Sequence, residues 1–435
     1  MLLHMALILA LALIPFAKRI VAPFVISGTL GTSDVTMPFE ISNMNNSALE
    51  ESELSVSPTL STDSLIKFDS LTNDTVEPAL VGVLPAKSAS ELSLSGRTGS
   101  LKATLLAAYG GTAGTEQAVE EGLAWLVRQQ RSDGAWSLRG PYTNGGNSEN
   151  KTAATAMALI ALAGAGNTHL EGTHKSHVKR GLDYLVAMQN KDGFFNSDAP
   201  ERQQMYGQGQ ATIALCELYG MSGDKALRGP SQLAIDFAEK AQSREGGWRY
   251  VPREDSDTSV TGWFVMALMS GRMAGLSTER KTLSGVDRFL DSVQSNGGSE
   301  YSYTELARPS VSMSAEGLLC REYLGWKRDD ERLAKGCELL TNHPVANDVR
   351  QRAYYTWYYS TQTLHHYGGE PWQKWNLAMR VELPRMQVMD GKDKGSWPPQ
   401  GDDHATSGGR LFSTCFALYC LEVYYRHLPL YGVSR

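Results

Sequence analysis

Residues 122–136 read GLAWLVRQQRSDGAW, and residues 181–195 read GLDYLVAMQNKDGFF. Related stretches follow at 234–248 (AIDFAEKAQSREGGW), at 286–300 (VDRFLDSVQSNGGSE) and, in degraded form, at 385–397 (RMQVMDGKDKGSW). Each is an apolar helix, a glutamine, a glycine turn and usually an aromatic residue. Such repetition constrains the fold strongly, because each unit must bury its apolar face against its neighbours. The copies recur at about fifty to sixty residues, a period that also suits a β-propeller blade. Spacing decides against blades. Val119, Leu123, Leu126 and Val127 fall at i, i+4, i+7 and i+8, and Val178, Leu182, Leu185 and Val186 repeat that register one unit later. This is one face of a helix, not the alternation of a strand.

A second helix is predicted after each turn, over 151–165, 208–220, 257–271, 309–323, 351–366 and 410–426. Stretches such as ATAMALIALAGAG and TGWFVMALMSG are apolar nearly all round, the pattern of a buried helix. Residues 330–342 supply the first helix of the fifth unit, without the glutamine. The result is a row of helical hairpins that can stack as an open solenoid or close into a ring. The contrast between half-buried first helices and deeply buried second helices favours a closed double ring around a central cavity.

The spacing of Gly122, Trp125, Gln129, Gly134 and Trp136 resembles the QW repeat of squalene and other triterpene cyclases. Over roughly 115–427 the chain is similar to the terpenoid cyclase/protein prenyltransferase superfamily, and closest to bacterial prenyltransferase/squalene-oxidase repeat proteins. The resemblance implies an all-α fold, an α6/α6 toroid of six hairpins. Fold does not carry function with it. The repeat residues also have a plain structural use. Glycine permits positive φ in the turns Ser132-Asp133-Gly134, Lys191-Asp192-Gly193 and Asn296-Gly297-Gly298, glutamine can bond the freed backbone groups, and the aromatic can cover them.

Composition divides the chain into 1–17, a signal peptide or short membrane anchor; 18–100, a Ser/Thr-rich disordered linker; and 101–435, the toroid. The apolar run MLLHMALILALALIPFA is short for a membrane span. It suggests an exported or envelope-anchored protein with possible membrane association, a cytoplasmic protein being the alternative. A short helix is expected over 101–109, stopped by Gly110-Gly111. A net charge of −6 without a basic run argues against nucleic acid. Cys216, Cys320, Cys415 and Cys420 lie among apolar residues of second helices and read as buried thiols. His169, Glu171, His174 and His177 read as a polar connection rather than a metal site.

Three chemistries follow from the resemblance. Zinc-dependent prenyl transfer requires Asp-x-Cys and a later histidine ligand. No Asp-x-Cys occurs, and Ser413 stands where the histidine would be in Leu411–Phe416, so this chemistry, with its metal, is disfavoured. Proton-initiated cyclisation uses Asp-x-Asp-Asp-Thr-Ala, in which the middle aspartate donates to an alkene. The nearest stretch is Glu254-Asp255-Ser256-Asp257-Thr258-Ser259. Aligned on Asp-Thr, the donor position holds Ser256; slipped by one, it holds Asp257, whose partner becomes Thr258. All four residues from Ser256 to Ser259 are also N-cap types, and capping is the commoner role. On the enzyme reading, a class II-type cyclase (isomerase/lyase) would use Asp257 as proton donor with Asp255 assisting. Trp263, Tyr301 and Tyr303 would stabilise cations.

The third possibility is binding without catalysis, of an apolar small molecule or peptide, by a scaffold toroid. Trp248, Tyr250, Tyr301 and Tyr303 are expected to rim one mouth, and His404, in the loop Gly401-Asp402-Asp403-His404, to face it. Tyr354, Tyr355, Trp357, Tyr358 and Tyr359 form an aromatic run in the fifth second-helix, a pattern more often core than ligand site. No cofactor is expected on either reading.

Overall fold

The computed structural model describes residues 94–195 and 199–431, all within one compact unit. The expectations for 1–17 and for the linker up to residue 93 lie outside the described residues. The final stretch of the expected linker, 94–100, is packed rather than loose. Leu94 and Arg97 are buried, a 3-10 turn spans Ser95–Arg97, and helix α1 (Gly99–Tyr109) follows. It stops at Gly110, whose φ of 85° only glycine adopts freely.

Six hairpins follow. They pair α2 (Ala113–Arg128) with α3 (Lys151–Gly164), α4 (Lys175–Met188) with α5 (Glu201–Ser222), and α6 (Lys225–Ala241) with α7 (Thr258–Met273). The rest are α8 (Arg280–Val293) with α9 (Val311–Tyr323), α10 (Glu331–Thr341) with α11 (Tyr354–Tyr367), and α12 (Gly369–Met386) with α13 (Ala405–Leu421). A last turn, α14 (Val423–Arg426), ends the helical order, and a two-residue ribbon (β1, Gln294–Ser295; β2, Glu300–Tyr301) sits in the fourth joint.

The odd-numbered helices from α3 to α13 form the inner layer. Each packs on the next, and α13 returns to α3 and α2, so the row closes into a ring. The closure is also hydrogen-bonded: the Arg410 guanidinium donates to the Thr143 carbonyl (2.9 Å) and to Asn144 Oδ1 (2.9 Å). The layers differ as their sequences require. In α3 every residue from Thr152 to Gly164 is buried, whereas α8 buries only a stripe of Thr282, Gly285, Val286, Phe289, Leu290 and Val293.

The repeated phrase makes the joints. The backbone N–H of Trp136, Trp248 and Trp397 donates to Thr155, Thr261 and Thr414 on the following inner helix, at 3.0–3.1 Å. The three indole N–H groups donate at 2.7 Å to Leu126, Ala238 and Leu383, carbonyls near the ends of the outer helices. Gln242 donates to its own turn at Gly246 and to Thr282 at the start of the next outer helix; Gln387 spans Gly395 and Ala118 in the same way. In the first copy this task falls to Gln130, which reaches Gly134 and His177, not to Gln129, which bonds only the Trp125 carbonyl.

The middle of the ring departs from the expected open cavity. Trp263 of α7 lies 6.0 Å, centroid to centroid, from Tyr358 of α11 and from Phe416 of α13, the inner helix opposite. Tyr358 also donates to Met266 Sδ across the ring. At this level aromatic side chains meet and fill the centre. Below it, Arg97 enters from outside the ring and pairs with Glu217 at 2.7 Å, both fully buried, while Arg426 approaches Glu217 at 3.4 Å.

Candidate functional site

Several inner helices begin at the upper end of the ring, and polar side chains cap them there. Asn150 accepts from Ala153 N–H at α3, Asp257 from Val260 N–H at α7, and Ser310 from Met313 N–H at α9. Asp402 accepts from Tyr354, His404 and Ala405 N–H, so one carboxylate holds the starts of both α11 and α13. That role occupies the acid of the Asp402/His404 loop. Four orphan donors at each helix start make such caps strongly favoured.

Asp257 does more than cap. Its Oδ1 accepts from Val260 N–H (2.7 Å) and Ser259 Oγ (3.0 Å), and its Oδ2 accepts from Tyr303 OH (2.7 Å). Arg249 Nε lies 3.3 Å from Oδ2, and the same guanidinium pairs with Asp255 at 2.5 Å. Behind these donors stand two more. Tyr206 OH is 2.6 Å from Ser259 Oγ, and Tyr250 OH is 2.5 Å from Tyr303 OH. Because Ser259 and Tyr303 spend their hydrogens on Asp257, the outer tyrosines donate to them. Two hydroxyl relays and a cation thus converge on one carboxylate. Burial pushes the Asp257 carboxyl up, while Val260, Tyr303, Ser259 and Arg249 oppose it. No named neighbour accepts from it, so a proton on Asp257 would displace one of its donors.

The second acid is Glu316, on α9, fully buried. Tyr355 OH donates to its Oε2 at 2.9 Å. Oε1 has no hydrogen-bond partner, although Tyr359 approaches with an unbonded hydroxyl. A side chain on Gly262, inside α7, would overlap this carboxyl, so a glycine in mid-helix makes its room. Desolvation holds Glu316 well above the usual glutamate range; the Tyr359 and Tyr355 hydroxyls oppose this, and the charge of Asp257 adds to it. No cation is among its influences. Its environment is the reverse of that around Asp257.

The expected site residues divide between mouth and framework. Asp257, Asp255, Tyr250, Tyr303 and His404 do gather at the upper mouth; His404 is half exposed and stacks on Tyr355 (4.9 Å, 14°). Arg249 lies over Tyr250 and Tyr303, at 5.0 and 5.4 Å. Trp263 lies deeper, in the central aromatic cluster. Trp248 and Tyr301 do not rim the mouth. Trp248 is buried on Phe264 in its joint, and Tyr301 is buried against Gly317 with its hydroxyl accepting from Arg321 Nε. Both occupy the aromatic place of the repeat, and a wedge between helices has no free face.

The sequence reading missed Glu316 and Tyr206. The signal for Glu316 was present: in VSMSAEGLLCREY two acids, Glu316 and Glu322, interrupt a helix that had to be buried.

Comparison with known proteins agrees with this architecture. Residues 94–203 match the family model described as the squalene-hopene cyclase C-terminal domain. The match covers the start of the ring, not the whole chain. An inactive variant of an α-1,6-mannanase from Salegentibacter sp. HEL1_6, in complex with α-1,6-mannotriose, is similar at a TM-score of 0.52. The two share 9% identity, and the match covers 72% of this chain and 99% of that one. The type II terpene cyclase MstE from Scytonema, as a substrate-bound variant, is similar at 0.49 with 12% identity, covering 72% and 97%. No curated protein matches in sequence. At such identities the mannanase likeness speaks for the α/α toroid alone, and function must be read from this chain's own residues.

Proposed function

We propose that this toroid takes an apolar, isoprenoid-like chain at its upper mouth and begins a proton-initiated cyclisation there. The observation that carries this reading is the pair of buried carboxyl groups, Asp257 and Glu316, set beside aromatic faces. Protonating an alkene needs an acid kept neutral in a dry site, and the resulting cation needs π faces and a nearby negative charge. Tyr355, Tyr359 and Trp263 supply the faces. Asp257, held by its donors, supplies the charge, and Asp255 keeps Arg249 in place. The family resemblance gives Asp257 the part of proton donor; its donor-only surroundings favour the part of counter-charge.

A second reading, a non-catalytic binder of apolar ligands or peptides, is favoured by one observation: Trp263, Tyr358 and Phe416 fill the ring centre, leaving the mouth as the place of binding. We further propose an exported or membrane-anchored setting, resting on the apolar segment 1–17. Incubation of purified protein with squalene and shorter polyprenyls, followed by mass spectrometry, separates the readings. The cyclase reading expects an isomer of unchanged mass that disappears in Asp257→Asn. An inert protein that carries an apolar ligand out of cells supports the binder.

A further inference from the structure

Asp257 and Glu316 are both buried acids at one site, but their surroundings differ in kind. Asp257 is met by donors on both oxygens and by a guanidinium. Such a cage stabilises the anion, and a proton would have to break it. Glu316 accepts one hydrogen bond, from the Tyr355 hydroxyl at Oε2, and has no cation beside it; Oε1 is unbonded, with the Tyr359 hydroxyl approaching the carboxyl. Around it stand Tyr355 and Tyr359, whose ring centroids are 5.0 Å apart; Tyr359 in turn contacts Trp263 at 6.1 Å. An ionised carboxylate with one donor in such a place is strongly disfavoured, whereas a neutral acid with a free O–H fits it.

We propose that Glu316, not Asp257, is the proton donor of this site, and that Tyr355 covers it from the mouth. The inference rests on the cyclisation reading above and assigns its first step to a residue outside the aspartate motif. The Oε1–H proton bonds to a terminal alkene carbon and takes the π pair; the O–H bond pair stays on Glu316 as carboxylate. The tertiary cation left behind is captured by further alkenes of the same chain. It ends by losing one proton to water, and water returns one to the Glu316 carboxylate, so the reaction is a net isomerisation and needs no co-reactant beyond solvent as proton carrier. Tyr355 bonds Glu316 with its hydroxyl and stacks its ring on half-exposed His404. A substrate approaching from the mouth therefore meets this tyrosine before the acid.

Two measurements test the assignment on the full chain. In infrared spectra near neutral pH, wild type should show a neutral-carboxyl C=O component that Glu316→Gln removes and Asp257→Asn retains. In polyprenyl turnover, Glu316→Gln should lower the rate about a hundredfold or more, the scale of a lost general acid. A glutamine still accepts from Tyr355, so a merely structural glutamate would be rescued by this change. Near-ultraviolet circular dichroism verifies that the variant is folded. Turnover that survives Glu316→Gln, or an infrared component lost in Asp257→Asn instead, overturns the assignment and leaves the cyclisation reading standing. A wild-type protein inert toward every polyprenyl, with its neutral-carboxyl component intact, sinks that reading first and the donor with it.

Discussion

Glu316 and Asp257 show how little a residue's type says about its charge. Both are buried acids, one capping an inner helix and one within it, yet Asp257 accepts from three donors beside a guanidinium and Glu316 from one phenol, with a second approaching. Burial raises the Glu316 carboxyl in the fold above the ordinary glutamate value that it keeps in the unfolded chain. Its contribution to stability is thus fully present below that value and is lost as pH rises toward the raised folded one, at about 1.4 kcal/mol per pH unit. The stability of wild type relative to Glu316→Gln should therefore fall in urea titrations as pH rises above the ordinary glutamate value. A difference independent of pH would mean that Glu316 is ionised in the fold. The sequence made Asp257 visible because a cap and a partial motif coincide there. An acid in a buried helix marked Glu316 as unusual, but its surroundings were not legible, because Gly262, Tyr355 and Tyr359 are brought from two other helices.

At the scale of the element, the joints were legible because their chemistry is local and repeated. Gly134, Gly193 and Gly246 have φ of 86°, 90° and 105°, as their turns require. The glutamine's further reach, into the next outer helix, was not legible, since it depends on how hairpins stack. Spacing to the turn glycine already points to Gln130, since Gln189 and Gln242 also stand four residues before Gly193 and Gly246. The structure agrees. Gln130→Ala should destabilise the protein by about 1–2 kcal/mol, because two backbone carbonyls lose their donor, while Gln129→Ala should be nearly silent. Denaturant midpoints of the two variants decide this, and equal losses would count against the stapling role. Trp248 and Tyr301 carry the same lesson. An aromatic in a connection looks like a rim residue until the joint is built, and then it is a wedge.

For the whole molecule, the six-hairpin ring was readable from the contrast between striped and wholly apolar helices, and the closure of α13 on α3 bears it out. The filled centre was not readable, because the facing of Trp263, Tyr358 and Phe416 depends on helix rotation rather than on spacing. The lower end was hidden as well: Arg97 sits in what composition marks as linker, yet pairs with Glu217 inside the ring. Arg97→Met should cost about 3 kcal/mol, the low end for breaking a buried pair, because Arg426 still attends Glu217. Chemical denaturation checks it, and an unchanged midpoint would make the pair ornamental. Above that latch and the aromatic plug, the chemistry proposed for the upper mouth is delivery of a proton to an alkene. The most direct test is to run polyprenyl turnover in D2O and weigh the product. Proton-initiated cyclisation predicts an isomer carrying one deuterium on carbon, absent with Glu316→Gln. An unlabelled product, or none from any polyprenyl offered, would contradict it.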